Sequence, residues 1–430
     1  MTDTATQKYD LAIIGAGMAA MAAAVFAAQR GISTAIVGSP GESWLTAGLI
    51  DLMGVHPIAE GKSWPDPWAA IEAVTQDIPG HPYARMDRED IKAGLQEFYS
   101  FLNHAGLPYC FQDDRNSNLI TAFGMVKTAH GVPQTMWPGV QAFKRKAPCL
   151  FVDIQGLKGF SASLPAERLK SLWPRLKTLS IPSVYGEDPH EINPVPLAHD
   201  LEIAEYRQKL AGLIRPHVRD VDFVGLPAIL GIYQAEKVAS ELSELLEKPV
   251  FEIPAMPPSI PGLRLKEAFL RLLPEKGVSC LFQKQILNAA STAEQGFLLD
   301  IGRTERELTI RADGVLLASG RFLGGGLISN HLSIKEPIFD LPVTQPEHRE
   351  HWHLDRFFDA GGHSVNMAGL ETDSRLRPLN GNGSPRHEGL FAAGSILGHH
   401  DGNRMKCGSG VSVATAYGAV KSFGRFHKTS

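Results

Sequence analysis

The fold is decided by the stretch Tyr9-Asp10-Leu11-Ala12-Ile13-Ile14-Gly15-Ala16-Gly17-Met18-Ala19-Ala20. Its apolar first half predicts a buried β-strand, and its small second half predicts a tight turn that opens a helix. The spacing G-x-G-x-x-A is the dinucleotide-binding fingerprint, in which the glycines allow the turn and the approach of a phosphate, and the alanine lets helix and strand pack closely. Backbone N–H groups at the start of a helix attract anions. We therefore expect the phosphate end of a cofactor to be bound by Gly15, Ala16, Gly17, Met18, Ala19 and Ala20.

The rest of the chain predicts a cofactor domain that is interrupted twice. After the proline-rich connector Pro254 to Gly262, short strands alternate in polarity between Val278 and Ile310, and the apolar strand Gly314 to Ala318 follows. Such a meander after a β-α-β unit is typical of flavoproteins. We predict an α/β fold: a Rossmann-type flavin-binding domain, with a parallel sheet plus a β-meander, interrupted by a mixed α+β substrate or cap domain. The expected segments are 1–62, 254–327 and 387–430 for the flavin-binding domain, and 63–253 and 328–386 for the cap domain.

The second strand of the first unit lacks a residue that the fingerprint predicts. The helix is expected to run to about Arg30, and Ser33 to Val37 form the next buried strand. That strand should end in an acidic residue that binds a ribose, but Gly38-Ser39-Pro40 follows it. Two interpretations stay open: the Ser39 hydroxyl holds an adenosine ribose, or the cofactor has no adenosine half and is FMN rather than FAD. In either case we expect one non-covalent flavin.

Three further glycine-rich stretches are candidates for contact with the flavin. Thr46 and Gly48 lie in a small, polar loop, and Ser319-Gly320 ends an apolar strand close to Gly324-Gly325-Gly326. The third stretch is a strand that ends at Gly394, followed by a glycine-rich start of a helix, whose N–H groups could offset negative charge on a reduced flavin. Its candidate residues are Gly394, Ser395, Gly408, Ser409, Gly410 and Val411.

The composition is that of an ordinary globular protein and excludes several classes of function. The chain has 430 residues, 43% of them hydrophobic, and a net charge of -4, so it lacks the basic field that collects nucleic acid. Its four cysteines form no C-x-x-C pair or other metal-ligand pattern, so an iron-sulfur cluster would have to lie on another protein. The first apolar run is too short to be a signal peptide or membrane span. We expect a cytoplasmic protein.

Besides the fingerprint, several motifs occur in a specific order along the chain: Gly48-Leu49-Ile50-Asp51-Leu52, His81-Pro82-Tyr83, Pro257-Pro258-Ser259, Gly262-Leu263-Arg264-Leu265, Leu317-Ala318-Ser319-Gly320, Gly325-Gly326-Leu327, Glu336-Pro337-Ile338, Leu376-Arg377-Pro378 and Ala393-Gly394-Ser395. In this order they resemble the family of B subunits of anaerobic glycerol-3-phosphate dehydrogenase. The resemblance covers most of the chain and implies a fold similar to that of fumarate-reductase-type flavoproteins. It also implies FMN, and oxidation of sn-glycerol 3-phosphate to dihydroxyacetone phosphate. Electrons would pass through two partners, the catalytic A subunit and the iron-sulfur, membrane-anchoring C subunit, to a quinone, and membrane association would arise through those partners.

The catalytic residues are sought in the loop after Gly394. Either His399 or His400 is a candidate base, because imidazole titrates near neutral pH, and Arg404 is a candidate cation for an anionic substrate. Arg264 and Arg377 are further candidates for binding the phosphate or carboxylate of that small substrate. The segment from His399 to Arg404 is more similar to the His-to-Asn-Arg segment of fumarate-reductase relatives than to that of the B subunits.

Three functions fit these features. The first is hydride abstraction from glycerol 3-phosphate, with a base that takes the hydroxyl proton. The second is a flavin-bearing relay subunit that passes electrons while a partner oxidises the substrate. The third, which rests on Asn403-Arg404, is a stand-alone dehydrogenase of another substrate.

Overall fold

The protein is described by a computed structural model that covers residues 6–40, 45–186, 191–292 and 296–428. The predicted segments 1–62, 63–253, 254–327 and 387–430 each include a few residues outside these ranges. The chain forms two compact units. The first comprises Met1–Glu42, Asp51–Phe101 and Phe269–Ser430, and the second comprises Ser43–Ile50 and Leu102–Ala268.

The strands and helices of the described residues are numbered in chain order. The strands are β1 (Gln7–Ile14), β2 (Thr34–Gly38), β3 (Tyr109–Cys110), β4 (Ser117–Ile120), β5 (Val126–Ala129), β6 (Val132–Pro133), β7 (Cys149–Ile154), β8 (Leu176–Ile181), β9 (Phe223–Pro227), β10 (Val250–Ile253), β11 (Ser279–Phe282), β12 (Gln285–Ser291), β13 (Phe297–Gly302), β14 (Arg306–Leu317), β15 (Ile328–Ser329), β16 (Ile334–Lys335), β17 (Val343–Thr344), β18 (Gly369–Leu370) and β19 (Leu390–Ala392). The helices are α1 (Met18–Gln29), α2 (Pro67–Asp77), α3 (Arg88–His104), α4 (Trp137–Arg145), α5 (Ser163–Leu169), α6 (Pro194–Asp200), α7 (Ala204–Ile214), α8 (Ala235–Leu246), α9 (Ile260–Glu275), α10 (Gly402–Met405) and α11 (Gly408–His427).

The first unit is built on a seven-stranded sheet in the order β11-β2-β1-β14-β13-β12, with β19 also paired to β14. Strands β11, β2, β1, β14 and β19 run parallel, with Ile14 opposite both Val37 and Leu317. Strands β12, β13 and β14 form an antiparallel meander. The unit therefore has the parallel sheet and the meander that the sequence predicts. Helix α1 is buried from Ala19 to Ala27, because small residues on every side let the sheet and α11 pack closely against it.

The second unit has a different architecture from the predicted mixed α+β domain. Its main sheet is entirely parallel, in the order β10-β9-β7-β8, and the helices lie in the connections between its strands. The short antiparallel pairs β3–β6 and β4–β5 are separate from it. Strands β7 and β9 are buried apolar runs, which is typical of a sheet covered on both faces. Strand β8 is largely exposed, so its sequence does not show the pattern of a buried strand.

The boundaries of the two compact units also differ from those of the predicted segments. Residues 63–101 belong to the first unit, where Lys421 Nζ of α11 lies 2.6 Å from Asp90 Oδ1 of α3 and Phe98 stacks on Phe269. Residues 328–386 belong there too, because Leu370 of β18 packs in the core of the main sheet. No helix in the described part of the chain is long and apolar enough to cross a membrane.

Candidate functional site

The turn between β1 and α1 has the geometry of a phosphate-binding turn. Gly15 has φ +121°, its N–H donates to Val37 O at 2.7 Å, and a Cβ on it would lie 2.1 Å from Ala318 O. Any side chain here would collide with the end of β14, so glycine is required. Gly17 is the N-cap of α1 and supplies no side-chain acceptor. The N–H groups of the first turn of α1 can therefore serve an anion.

The ends of β14 and β19 meet this turn. A Cβ on Gly15 would lie 3.0 Å from Ser319 N, and one on Gly394 would lie 2.5 Å from Ala19 Cβ. The buried Ser319 hydroxyl has no hydrogen-bond partner among the described residues. Ser395, beside Gly394, is exposed. An unpaired hydroxyl beside an uncapped helix N-terminus fits a polar cofactor that lies across these strand ends.

The structure places the other predicted cofactor residues in different surroundings. Ser39 is exposed, directly after β2. Thr46 and Gly48 belong to the second unit, where Thr46 O accepts a hydrogen bond from Ser259 and Gly48 O accepts one from Tyr109. Contact of Thr46 and Gly48 with a flavin ring remains a prediction.

The start of α11 makes its hydrogen bonds to another segment of the first unit. Ser409 Oγ accepts the N–H of Asp51 at 2.7 Å, and the N–H of Gly410 donates to Asp51 O at 2.7 Å. Val411 N–H donates to Cys407 O at 2.8 Å. The two N–H groups of Gly410 and Val411 are thus used within the protein, which corrects the expectation that they face a flavin. Ser409 and Gly410 instead hold the chain at Asp51, and Gly408 begins α11.

His399 and Glu371 form a base-and-carboxylate pair. The Nε2 atom of His399 lies 2.9 Å from Glu371 Oε1, and the His399 side chain is 26% exposed. The hydrogen bond and charge of His399 lower the pKa of Glu371. The imidazole lies against Gly80, where a Cβ would be 2.6 Å from the ring. His399 has φ +63°, an unfavourable conformation for a residue with a side chain, of the kind that is often found at functional sites.

His400 lies in a different environment from its neighbour. It is buried, and burial, together with the charge of Arg321, lowers its pKa well below the ordinary value. Its Nδ1 atom lies 3.3 Å from Gly398 O. A histidine that stays neutral in this way can donate or accept a hydrogen bond, but it is a weaker candidate for a base than His399.

Sequence reasoning missed Arg321, a partly buried cation between the cofactor residues and the histidine loop. Its guanidinium donates to Asn366 O, to Leu397 O at 2.9 Å and to His400 O at 2.8 Å. Burial lowers its pKa to about 10, so it stays charged at neutral pH. Its position directly after Ser319-Gly320 was a signal that could have identified it.

His81 belongs to the His81-Pro82-Tyr83 motif, to which the sequence alone assigns no function. His81 is completely buried, and its ring centre lies 5.9 Å from that of His400. Burial, with the charges of His56 and His399, lowers its pKa to about 3. Arg85, four residues further on, contributes a charge that lowers the pKa of Glu371.

Arg404 lies in α10, directly after the loop that contains His399 and His400. Asp401 caps its helix by accepting the N–H of Arg404 at 3.1 Å, and the guanidinium donates to Ala360 O at 3.5 Å. Its side chain is 27% exposed. We define the site cluster by its members, which all lie in the first unit: His81, Arg85, Arg321, Glu371, His399, His400 and Arg404.

Arg264 and Arg377, predicted to bind substrate, are occupied by ion pairs instead. Arg264 is buried in the second unit and donates to both carboxylate oxygens of Glu252, at 2.6 and 2.7 Å. Arg377 donates to Asp373 at 2.8 Å and to Glu388. Since each guanidinium is neutralised by carboxylates of this chain, the structure corrects their assignment from substrate binding to structural support.

Comparisons with known proteins find a matching family, similar sequences and a similar structure. A family described as "FAD binding domain" matches residues 10–411. A protein of Vibrio vulnificus (strain YJ016), named as the B subunit of anaerobic glycerol-3-phosphate dehydrogenase, is 31% identical over 430 residues, which cover 96% of both chains. A protein of the same name from Yersinia pestis bv. Antiqua (strain Antiqua) is 28% identical, over 95% of this chain and 96% of that one. Among solved structures, 3-ketosteroid delta1-dehydrogenase from Sterolibacterium denitrificans superposes with a TM-score of 0.44 and 12% identity, over 98% of this chain and 100% of that one.

The matched family identifies the cofactor as a flavin, FAD, and supports it over the FMN alternative. The unpaired Ser319 hydroxyl and the uncapped start of α1 fit this group. The chain therefore belongs to the FAD binding domain family and, within it, to the flavin-dependent oxidoreductases that comprise the B subunits of anaerobic glycerol-3-phosphate dehydrogenase.

Proposed function

We propose that this chain oxidises sn-glycerol 3-phosphate to dihydroxyacetone phosphate. The observation that carries the proposal is the His399–Glu371 pair, at 2.9 Å, within a cluster that also contains Arg85, Arg321 and Arg404. A base that can exchange protons with solvent, together with cations that can hold a phosphate, is what the oxidation of an anionic alcohol requires. The bound flavin supplies the acceptor for the hydride.

His399 takes the proton of the substrate hydroxyl. Because Glu371 is held in its charged form, it accepts a hydrogen bond from Nε2 and fixes the neutral imidazole with its proton there. The Nδ1 atom is then unprotonated and free to accept a proton. When it does, the Glu371 carboxylate stabilises the positive imidazolium, as in other base-and-carboxylate pairs. The hydrogen on the carbon that bears this hydroxyl leaves as a hydride. Two electrons and one proton thus leave that carbon, and a ketone remains.

The arginines of the site cluster hold the phosphate of the substrate. Arg85 and Arg404 are partly exposed, and their remaining donors suit a dianion. Arg321 is bound to three backbone carbonyls, so it contributes charge and holds the loop from Leu397 to His400 in place. Arg264 and Arg377 have no part in this proposal because both are neutralised by carboxylates.

The FAD pyrophosphate is proposed to lie at the start of α1, bound through Gly15, Ala16, Gly17, Met18, Ala19 and Ala20. Ser319, Gly320, Gly394 and Ser395 would line the neighbouring strand ends. With no acidic residue at the end of β2, Ser39 is the proposed contact for the adenosine ribose.

The relatives are named as B subunits, and we propose that this chain also works with partner subunits. Electrons would leave its flavin through a catalytic partner, the A subunit, and an iron-sulfur membrane anchor, the C subunit, and reach a quinone. This arrangement would bring a chain without a membrane-crossing helix in its described part to the membrane.

The test is product analysis with the purified chain and an artificial electron acceptor. Glycerol 3-phosphate should give one dihydroxyacetone phosphate for each two electrons accepted, whereas glycerol, which lacks the phosphate, and succinate should give no turnover. Turnover of succinate would point to the stand-alone dehydrogenase. Absence of product, with product restored by adding a partner chain, would point to the relay function.

A further inference from the structure

The motif His81-Pro82-Tyr83 is anchored by its tyrosine. Tyr83 is buried, and its hydroxyl donates to Leu52 O at 2.6 Å. A Cβ on Gly410 would lie 2.4 Å from that hydroxyl, so Tyr83 also lies against the start of α11. The 3-10 turn Pro82–Arg85 is therefore fixed to two other segments of the first unit. His81, its N-cap residue, is held equally firmly.

The hydrogen bonding of His81 defines where its proton is. Nδ1 accepts the N–H of Tyr83 at 3.2 Å, so this nitrogen carries no proton. The neutral ring must then carry its proton on Nε2. Nε2 is buried and has no hydrogen-bond partner among the described residues. A buried N–H without a partner is costly, and such groups often bind a ligand.

The neighbours of His81 place its ring in the site cluster. The preceding residue, Gly80, is the one on which the His399 imidazole lies, and the ring of His400 is 5.9 Å away. Both charges that oppose protonation of His81 come from histidines, His56 and His399. The ring thus stays neutral next to the proposed base, and offers one fixed donor.

We propose that His81 is a further catalytic residue, which donates its Nε2 hydrogen to the secondary hydroxyl oxygen of the substrate. The inference rests on the proposed function. As the hydroxyl proton moves to His399 Nδ1, negative charge builds on the oxygen, and the fixed donor stabilises it. The charge disappears again as the carbon–oxygen double bond forms and the hydride leaves. His81 keeps its own proton throughout and does not act as a base.

Two substitutions distinguish hydrogen-bond donation from His81 to the substrate from the structural hydrogen bond that His81 accepts from Tyr83. In His81→Asn the side-chain oxygen can still accept the Tyr83 N–H as an N-cap, but no donor remains at the position of Nε2. In His81→Gln the longer amide can place an N–H near that position. We expect the rate of flavin reduction by glycerol 3-phosphate to fall by about 10²-fold in His81→Asn, and by less in His81→Gln.

The binding control is 3-hydroxypropyl phosphate, which lacks the secondary hydroxyl. Calorimetry of the holoprotein should show weaker binding of dihydroxyacetone phosphate by His81→Asn and an unchanged Kd for 3-hydroxypropyl phosphate. The acidic limb of the pH–rate profile should stay where it is in the wild type. Equal weakening for both ligands, or a shifted acidic limb, would overturn the inference. Full activity of His81→Asn would overturn only the inference about His81. A wild type that is inert toward glycerol 3-phosphate would overturn the proposed function as well.

Discussion

His399 and Glu371 lie 2.9 Å apart, imidazole Nε2 to carboxylate Oε1, although 28 residues separate them in the sequence. The contact orders an imidazole whose other nitrogen is free to take a proton. It also keeps Glu371 ionised, because the hydrogen bond and charge of His399 lower the pKa of that carboxyl. The proposed proton transfer from the substrate depends on this pair.

Loss of the base should slow the reduction of the flavin and change its pH dependence. His399→Gln should lower the rate with glycerol 3-phosphate by about 10²- to 10⁴-fold and abolish the acidic limb of the pH–rate profile. In Glu371→Gln the rate should be intermediate, because no carboxylate orders the imidazole or stabilises the imidazolium. Stopped-flow absorbance measures both. His351→Gln, at a side chain that is 63% exposed, is the control and should behave as wild type. An unchanged profile in His399→Gln would assign the base elsewhere.

A bulky residue at the start of α1 should empty the flavin site. Gly17 is the N-cap of α1, and a valine there would occupy the space of the phosphate. Gly17→Val should purify folded, by circular dichroism, with little bound FAD. Gly424→Val is the matched control, because, apart from its chain neighbours and the backbone of its own helix, no atom of the described residues lies within 4 Å of a Cβ on Gly424. A folded Gly17→Val protein with full flavin content would refute the placement of the cofactor.

The buried Arg264–Glu252 pair should contribute to stability rather than to substrate binding. Their side chains are 4% and 0% exposed, so Arg264→Leu leaves a buried carboxylate without its partner and should cost about 3–5 kcal/mol in urea unfolding. The double variant with Glu252→Leu should recover much of that loss. Lys209→Ala, at an exposed pair, should change little.

The stabilisation by the Arg264–Glu252 pair should depend on pH. Burial alone would raise the pKa of Glu252, but the charge and hydrogen bonds of Arg264 outweigh it and hold the pKa below its ordinary value of 4.5. The stabilisation is therefore present above pH 4.5 and is lost as the pH falls through the lowered pKa. If Arg264→Leu kept its stability but raised KM, Arg264 would be a substrate ligand after all.

The buried histidines should make the protein less stable in acid. The pKa of His81 is about 3 in the fold against 6.5 ordinarily, so the unfolded chain binds the extra proton between these values. Stability should fall as the pH drops from about 6.5 toward 3, and less steeply in His81→Asn. Urea unfolding at a series of pH values measures the slope. His351→Asn should leave it unchanged, and equal slopes for His81→Asn and wild type would contradict a buried neutral His81.

The sequence predicted the fingerprint turn and the sheet of the first unit because both depend on local pattern. Gly15, Gly17 and Ala20 are read from spacing alone, and the meander follows from alternating polarity. The parallel sheet of the second unit was not predicted, because β8 is mostly exposed and β10 has only four residues. A pattern of burial is needed before such strands can be recognised.

The site was only partly predictable, because it depends on pairs that are distant in sequence. Residue type alone points to His399, His400 and Arg404, but nothing local shows that Glu371 orders His399. Likewise, Arg264 and Arg377 were expected to be free for substrate, since sequence does not reveal that Glu252 and Asp373 neutralise them. Arg321 was missed because its ligands are backbone carbonyls.

The most direct test of the proposed reaction is an anaerobic titration of the purified holoprotein with glycerol 3-phosphate, followed through the flavin absorbance. Mass analysis of the released cofactor in the same preparation should give FAD. The proposed mechanism predicts that glycerol 3-phosphate bleaches the flavin of this chain without any partner chain, with one equivalent of dihydroxyacetone phosphate formed per flavin. A bound flavin that stays oxidised at saturating glycerol 3-phosphate would contradict it.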